Sequence, residues 1–180
     1  MINSSLIQEA GSVAFIQGVG IIAFVIGATA FLHQDDRKFR LHLMLFQIIL
    51  CSHFILMGAM TAAFGCGISA LRSYVSTKTD SSTMMWLFIT LLWLTGAPSA
   101  HHAYELLTLF GASVATWGLF KAQGIQLKLM ILFNSFCWLT HNLLLGSIGA
   151  TLMEMTFIGM NLFSIARMLR ARKSLEAERS

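Results

Sequence analysis

The chain has 180 residues, of which 56% are hydrophobic and only 11% are charged, against about 25% charged residues in an average soluble domain. Its mean hydropathy of +0.72 predicts a membrane protein with the lipid bilayer as its main partner. The net charge of +4 does not indicate nucleic acid binding, because the basic residues lie between hydrophobic segments and form no stripe with interleaved aromatics. The three cysteines lie in apolar runs without paired or metal-like spacing, so neither disulfides, a metal site nor a cofactor is predicted.

Seven apolar runs follow one another along the chain. Several are shorter than the roughly 20 residues that cross a hydrocarbon core comfortably, and the fourth is the weakest candidate. One long helix over 83–120 would have to pass Pro98 and would place Lys121 on the wrong side, so two crossings are favoured there. The runs are 13–32, 41–58, 60–75, 83–96, 104–120, 127–145 and 148–169.

The basic residues predict the orientation of these crossings. With seven crossings, all twelve Lys and Arg residues lie on one side of the membrane. The positive-inside rule makes that side cytoplasmic. The N-terminus is therefore predicted to lie outside the cell membrane, and the C-terminus, with a basic tail at 170–180, to be cytoplasmic.

An internal repeat accompanies this topology. A shift of 88 positions places Arg40 on Lys128 and His53 on His141, and a shift of 95 continues the match in the last run. Because a three-helix unit has an odd number of crossings, one extra helix between two copies gives both the same orientation. The predicted fold is therefore an all-α membrane protein with two parallel triple-helix bundles and a linker transmembrane helix. The three predicted units are 13–75, 83–96 and 104–169.

The sixth and seventh runs carry polar side chains among apolar ones. Asn134, Trp138 and His141 are separated by four and three residues and so share one helix face. Glu154 and Asn161 are seven apart and share a face of the next helix. If the two faces meet, Trp138 supplies a flat wall, and the amides supply donors and acceptors for a small polar solute that is sugar-like or nucleoside-like.

Two sets of candidate residues follow. The candidate substrate-binding residues are Asn134, Trp138, His141, Asn142, Asn161 and Ser69. The candidates for gating or proton coupling are Glu154, His53, His101, His102 and Glu105. The alternative for all of them is structural, since Asn, His and Ser bond across membrane helices for packing alone, usually for less than about 2 kcal/mol.

Glu154 has several interpretations. A carboxylate close to a span must be protonated, be paired or lie near the outer interface. Paired with His141 or His53 it would be a proton-coupling group, whereas alone it would be an interfacial or capping residue.

The fifth run is preceded by His101 and His102 and contains Glu105. His101 and Glu105 are four residues apart, a spacing that can bind a metal on a helix, but the sequence fixes no third ligand. The three residues are interpreted first as an interfacial cap and second as an extracytoplasmic gate or pH-sensitive latch.

Residues along nearly the whole chain match the pattern of a known family. They include Gln17-Gly18-Val19-Gly20, the charged run 35–40, His53-Phe54 with Gly58, His101-His102 with Glu105-Leu106, Thr116-Trp117, Trp138 with His141-Asn142, Gly146-Ser147-Ile148-Gly149, Glu154 and Met160-Asn161. In these residues the chain resembles the bacterial inner-membrane protein YgjV family. The resemblance implies a multi-pass protein of the bacterial inner membrane, with its N-terminus in the periplasm.

At longer range the chain resembles the SWEET and SemiSWEET sugar transporters and the PnuC vitamin transporters. Asn134, Trp138 and His141 fall where the SWEET pattern has Asn, Trp and Tyr, and Asn161 falls near that family's pocket asparagine. His33-Gln34 stands at the Pro-Gln pair of that superfamily, so the proline thought to assist helix bending is missing.

The first repeat keeps only part of this pattern, with Leu50 at the tryptophan-equivalent position and Ser69 at the asparagine-equivalent one. The resemblance thus implies an asymmetric pocket dominated by the sixth and seventh helices.

The predicted function is facilitated or proton-linked passage of a small polar solute between the two bundles. The alternative is a non-transport membrane scaffold, receptor-like or accessory protein, in which the polar cluster only fixes helix packing. An enzyme is not predicted, because the sequence has no Gly-rich phosphate loop, Ser-His-Asp order or paired catalytic carboxylates, and a membrane enzyme using His101, His102 and Glu105 ranks third. Small residues such as Gly65 and Gly67 leave a homo-oligomer open.

Overall fold

A computed structural model describes residues 4–58, 60–100, 102–145 and 148–177. These residues form seven α-helices and one short 3-10 helix at Ala97–Ser99, and no β-strand occurs among them. The all-α prediction is therefore confirmed for these ranges, and each predicted run overlaps one helix. The helices are α1 Ser4–Ala30, α2 Asp36–Leu56, α3 Met60–Val75, α4 Ser82–Gly96, α5 Ala103–Lys121, α6 Gly124–Leu145 and α7 Ile148–Ala177.

Local sequence signals explain where several helices begin and end. The Asp35 carboxylate caps α2 by accepting the Lys38 N–H at 2.7 Å. Pro98 follows α4 and lies in the 3-10 helix, which separates α4 from α5. Gly124 begins α6 with a φ of +57°, a left-handed conformation that glycine adopts without steric cost.

Three helices in the described ranges are long and apolar enough to cross a membrane, by length and composition. These segments are Val13–Ala30, Asp36–Leu56 and Ala150–Ser174. Shorter apolar helices lie at Ser82–Gly96 and Leu106–Lys121. Large apolar side chains lie exposed on the helix surfaces, with Phe64 on α3 and Leu94 on α4 as examples. Such surfaces suit contact with lipid tails, which are as apolar as leucine.

The helices pack as two groups of neighbours. Helix α2 packs on α1 and α3, while α6 packs on α5 and α7, and α4 packs mainly on α5. Helix α1 contacts α7 and joins the two groups.

Phe157 of α7 is the centre of the contact between the groups. Its ring lies against Phe24, Phe31 and Phe46, with centroid distances of 6.0, 5.7 and 5.6 Å. Gly27 of α1 makes this approach possible, since a Cβ there would lie 2.8 Å from Phe157 and 2.9 Å from Phe46.

The middle helices of the two groups begin at the same separation as the sequence repeat. Helix α2 begins at Asp36 and helix α6 begins at Gly124, 88 positions later. Asp36 and Gly124 also touch, because the Gly124 N–H donates to Asp36 Oδ2 at 2.7 Å. The offset found in the sequence thus recurs in the starts of α2 and α6 and in this direct contact.

Side-chain contacts repeat with the same offset. His53 of α2 donates its Nδ1–H to the Ile16 carbonyl of α1 at 2.9 Å. His141 of α6 packs on Tyr104 of α5 with a centroid distance of 5.7 Å. Both members of the second pair lie 88 positions after those of the first, so the two histidines fix equivalent helix pairs.

Candidate functional site

The polar face of α7 is buried against α6. Glu154 is 7% exposed, and Asn161 and Ser164 are fully buried. Asn161 Nδ2 donates to the Lys128 carbonyl at 2.9 Å, and Ser135 lies close enough to Glu154 to act on its carboxyl group. The two contacting residues of α6, Lys128 and Ser135, are seven positions apart, as are Glu154 and Asn161 of α7, so each pair lies on one helix face. We name Lys128, Ser135, Glu154, Asn161 and Ser164 the α6–α7 seam.

The structure separates the two polar faces that the sequence analysis considered together. A Cβ on Gly111 of α5 would lie 3.2 Å from Asn134 Oδ1, which places Asn134 beside α5. His141 also packs towards α5, and Trp138, 37% exposed, meets the His141 ring edge-on with centroids 5.8 Å apart. Since a helix turns about 100° per residue, Ser135 faces α7 while its neighbour Asn134 faces α5.

The remaining candidate binding residues have different surroundings. Asn142 is 6% exposed and follows Ser135 by seven residues, on the seam side of α6. Ser69 is half-buried on α3, which packs against α2.

The gating candidates do not form one group in the described parts of the chain. His53 ties α2 to α1 through the Ile16 carbonyl, and its ring fills the space above Gly20, where a Cβ would lie 3.0 Å from it. His102 is exposed and stacks on Tyr104 with centroids 5.2 Å apart. His101 and the side chain of Glu105 lie outside the described residues.

Several seam atoms find no hydrogen-bond partner within the described ranges. An unpaired buried polar group costs about 1–3 kcal/mol, and more when it is charged. A polar solute or a water molecule would therefore bind more favourably at these atoms than elsewhere in the apolar interior. The atoms are Lys128 Nζ, Glu154 Oε2, Asn161 Oδ1 and Ser164 Oγ.

Lys128 is a residue whose role the sequence analysis missed. Lys128 was counted among the basic residues of the cytoplasmic side, but it is the fifth residue of α6 and is fully buried. Its Nζ lies 3.4 Å from the Phe39 ring centroid and 5.5 Å from that of Phe31. These cation–π contacts partly replace the solvation of the ammonium group. The leucines on both sides of Lys128 were a signal that could have indicated burial.

Two arginines connect the groups of helices at the end of the bundle where α1 ends and α2 begins, which we call the basic end. Arg40 of α2 donates to the Ser76 carbonyl at 3.1 Å and to the Ala122 carbonyl after α5 at 3.0 Å. Arg167 of α7 donates through Nη2 to the Leu32 carbonyl after α1. Each arginine therefore crosses from its own half of the chain to the other half.

Arg72 provides a third link between the halves. Its Nη1 on α3 donates to Thr116 Oγ1 on α5 at 2.9 Å, and Thr116 is fully buried. The same hydroxyl donates to the Ala112 carbonyl at 2.6 Å. A charged side chain of α3 thus donates to a buried hydroxyl of α5.

A histidine pair lies at the corner between α1 and α2. His33 Nε2 and His42 Nε2 are 3.4 Å apart. Partial burial lowers the pKa of His33, and the positive charges of His42, Lys38 and Lys128 lower it further, against an opposing effect of Asp35. The neutral form of His33 is therefore favoured in the folded protein.

The two best-defined surface grooves lie between α2 and α3, and predicted site residues line neither of them. The larger has a volume of about 360 Å³ and an apolar wall. Its lining residues are Cys51, Ile55, Ala63, Phe64, Gly67, Ile68 and Leu71.

Comparison with known proteins gives two matches that cover most of the chain. The family Imp-YgjV, described as bacterial inner membrane protein, matches residues 14–172. The inner membrane protein YgjV of Escherichia coli (strain K12) is 38% identical over 157 residues, which cover 87% of this chain and 86% of that protein. No solved structure matches the chain. The resemblance to the YgjV family is confirmed, and the likeness to the SWEET transporters stays a prediction.

Proposed function

The chain belongs to the YgjV family of bacterial inner membrane proteins, and we propose that it carries a small polar solute across that membrane as a transporter or facilitator. The α6–α7 seam is the observation that supports this function most directly. Polar and ionisable groups inside a membrane are costly and usually belong to solute or proton paths. The seam holds a carboxyl, an amide, two hydroxyls and an ammonium group in the interior.

The proposed architecture is two parallel triple-helix bundles, α1–α3 and α5–α7, with α4 as a linker and all seven helices crossing the membrane. The 88-residue offset between helix starts supports the duplication. The central positions of α2 and α6 within their groups agree with it. In this topology the N-terminus is periplasmic and the C-terminus cytoplasmic, and parallel repeats of this kind place solute sites near the midplane between the repeats.

The residues of the α6–α7 seam have different proposed roles. Glu154 is the proposed proton-coupling group, because its carboxyl group is buried in the seam near Ser135 and its Oε2 has no hydrogen-bond partner in the described chain. Asn161 holds α6 through its amide nitrogen, and its free Oδ1 is a hydrogen-bond acceptor for a solute hydroxyl. Asn161 and Ser164 together suit a solute rich in hydroxyl groups, as in sugar-like or nucleoside-like molecules.

A non-transport scaffold, receptor-like or accessory protein is the second candidate. It is favoured by the contacts that bind predicted site residues to helix backbones, His53 to Ile16 and Asn161 to Lys128. Under this alternative, Asn161→Ala lowers stability without any selective loss of solute binding.

Uptake by the purified protein in liposomes tests the proposal. We expect saturable uptake of at least one member of a sugar and nucleoside panel, with a rate that depends on a proton gradient. Glu154→Gln should remove the gradient dependence. The matched control is Glu176→Gln, which changes an exposed carboxylate of α7 that pairs with Arg172. Failure of every solute to move, together with no solute-induced thermal shift, would contradict transport.

A further inference from the structure

Extending the proposed function, we infer that the basic end of the α6–α7 seam binds an oxyanion, the carboxylate or phosphate group of a solute or lipid. The site consists of Lys128, Ser164 and Arg167, which we call the oxyanion subsite. It is specified by unused hydrogen-bond donors and by an excess of buried positive charge.

The first observation is that three donors lack partners. Lys128 Nζ, Ser164 Oγ and Arg167 Nε are buried and make no hydrogen bond within the described ranges. Lys128 and Ser164 are fully buried. Oxyanions accept several such bonds at once, and bonds to charged donors are roughly twice as strong as those between neutral groups.

The second observation is that the two cationic side chains lie close together. Arg167 reaches the Leu32 carbonyl, while Lys128 lies above the ring of the preceding residue, Phe31. Both therefore lie beside the turn that follows α1, and their charges act on each other. Ser164 precedes Arg167 by three residues, so the two are neighbours on α7.

The third observation is the imbalance of charge. Among the described residues, Asp36 is the carboxylate that acts on Lys128 and on Arg40, and its Oδ2 accepts the Gly124 N–H. Asp36 thus acts on two cationic side chains, Arg40 and Lys128, while Arg167 adds a further positive charge that acts on Lys128. Burial of uncompensated charge is costly, and a bound anion would remove part of that cost.

Thermal unfolding of the detergent-solubilised full chain tests the subsite. Inorganic phosphate and acetate are titrated against sodium chloride at constant ionic strength and pH 7.5. The midpoint should rise saturably with phosphate or acetate and not with chloride. Lys128→Met should raise the apparent Kd at least tenfold and still fold, because a methionine fills a similar volume without charge.

Ser164→Ala and Arg167→Gln keep the test decisive if Lys128→Met does not fold, and each should raise the apparent Kd several-fold. The control is Lys121→Gln, at the exposed end of α5, and its Kd should equal that of the wild type. Equal affinity in all variants, or no saturable effect of any anion or lipid, overturns the proposal.

Two further experiments distinguish a lipid headgroup from a solute, and distinguish failure of the oxyanion subsite from failure of the transport proposal. In nanodiscs, stabilisation by phosphatidylglycerol over phosphatidylcholine with no effect of free phosphate assigns the site to a lipid headgroup. The reverse result assigns it to a solute. Anion binding without any uptake in liposomes refutes transport and leaves the subsite, whereas uptake without anion effects refutes the subsite alone.

Discussion

Replacement of Thr116 by valine should destabilise the protein more than loss of its charged partner Arg72. Thr116→Val leaves the half-buried Arg72 guanidinium, whose Nε is already buried without a partner in the described chain, without the acceptor that lies 2.9 Å from Nη1. Arg72→Met leaves the Thr116 hydroxyl still bonded to the Ala112 carbonyl. Side-chain hydrogen bonds in membrane proteins average about 0.6 kcal/mol, but loss of the acceptor of a buried charged donor costs about 1.5–3 kcal/mol. We expect Thr116→Val to lower the free energy of unfolding by an amount in that range. Arg72→Met should lower it by less than about 1 kcal/mol, because removal of a whole buried charge is often nearly neutral.

Equilibrium unfolding in mixed micelles measures both free energies. Thr140→Val is the matched control, since Thr140 also donates to the carbonyl four residues earlier but is exposed. Thr116→Ser keeps the hydroxyl and should restore most of the stability. A larger loss for Arg72→Met than for Thr116→Val, or equal losses for Thr116→Val and Thr140→Val, would refute this account of how α3 and α5 are joined.

Three further predictions concern the corners and contacts of the helices. Gly27→Ala should lower the free energy of unfolding by about 1–3 kcal/mol, because the added methyl group overpacks against Phe157. Gly65→Ala, with no atom within 4 Å of the new Cβ, should raise it by about 0.5–1 kcal/mol. The same unfolding assay measures both changes. Asp35→Ala should cost about 1 kcal/mol by removing the cap of α2, measured in the same way. Because the pKa of His33 is lowered in the folded state, the unfolded chain takes up the proton first, so stability should fall as pH drops below about 6.5; a pH series in which His33→Gln shows the same slope as the wild type would contradict this.

The sequence was sufficient to predict the helices and their approximate limits. Polar and breaker residues bound each apolar run, so α3 ends at Val75 where its predicted run ends, and α4 begins one residue before its own. The charged segment at 35–40 and Pro98 mark two of the corners. These signals are local, so the hydropathy pattern and the breaker residues predict the helix limits directly. The basic segment after 169 continues as helix through Ala177, because it contains no breaker.

The rotation of α6 could not be predicted in the same way. Its polar residues are distributed around the helix, with Asn134 and His141 towards α5 and Lys128 and Ser135 towards α7. When both neighbours of a helix are apolar helices, the hydrophobic pattern does not distinguish one side from the other. The seam therefore depends on pairings between residues far apart in sequence. Lys128 was misinterpreted for a related reason, since a lysine near a helix end usually extends to the interface.

Accessibility of the seam to water tests the transport account most directly. Single cysteines are placed at Ser164, fully buried in the seam, and at Leu162, 48% exposed on another side of α7, in a chain whose three native cysteines are replaced by alanine. Only an ionised thiol reacts rapidly with a water-soluble thiol reagent, so lipid contact suppresses labelling. A solute path predicts that Ser164→Cys in liposomes is labelled, that a transported solute slows this labelling, and that Leu162→Cys stays unlabelled. A Ser164→Cys chain as unreactive as Leu162→Cys would show a dry helix interface and contradict the account.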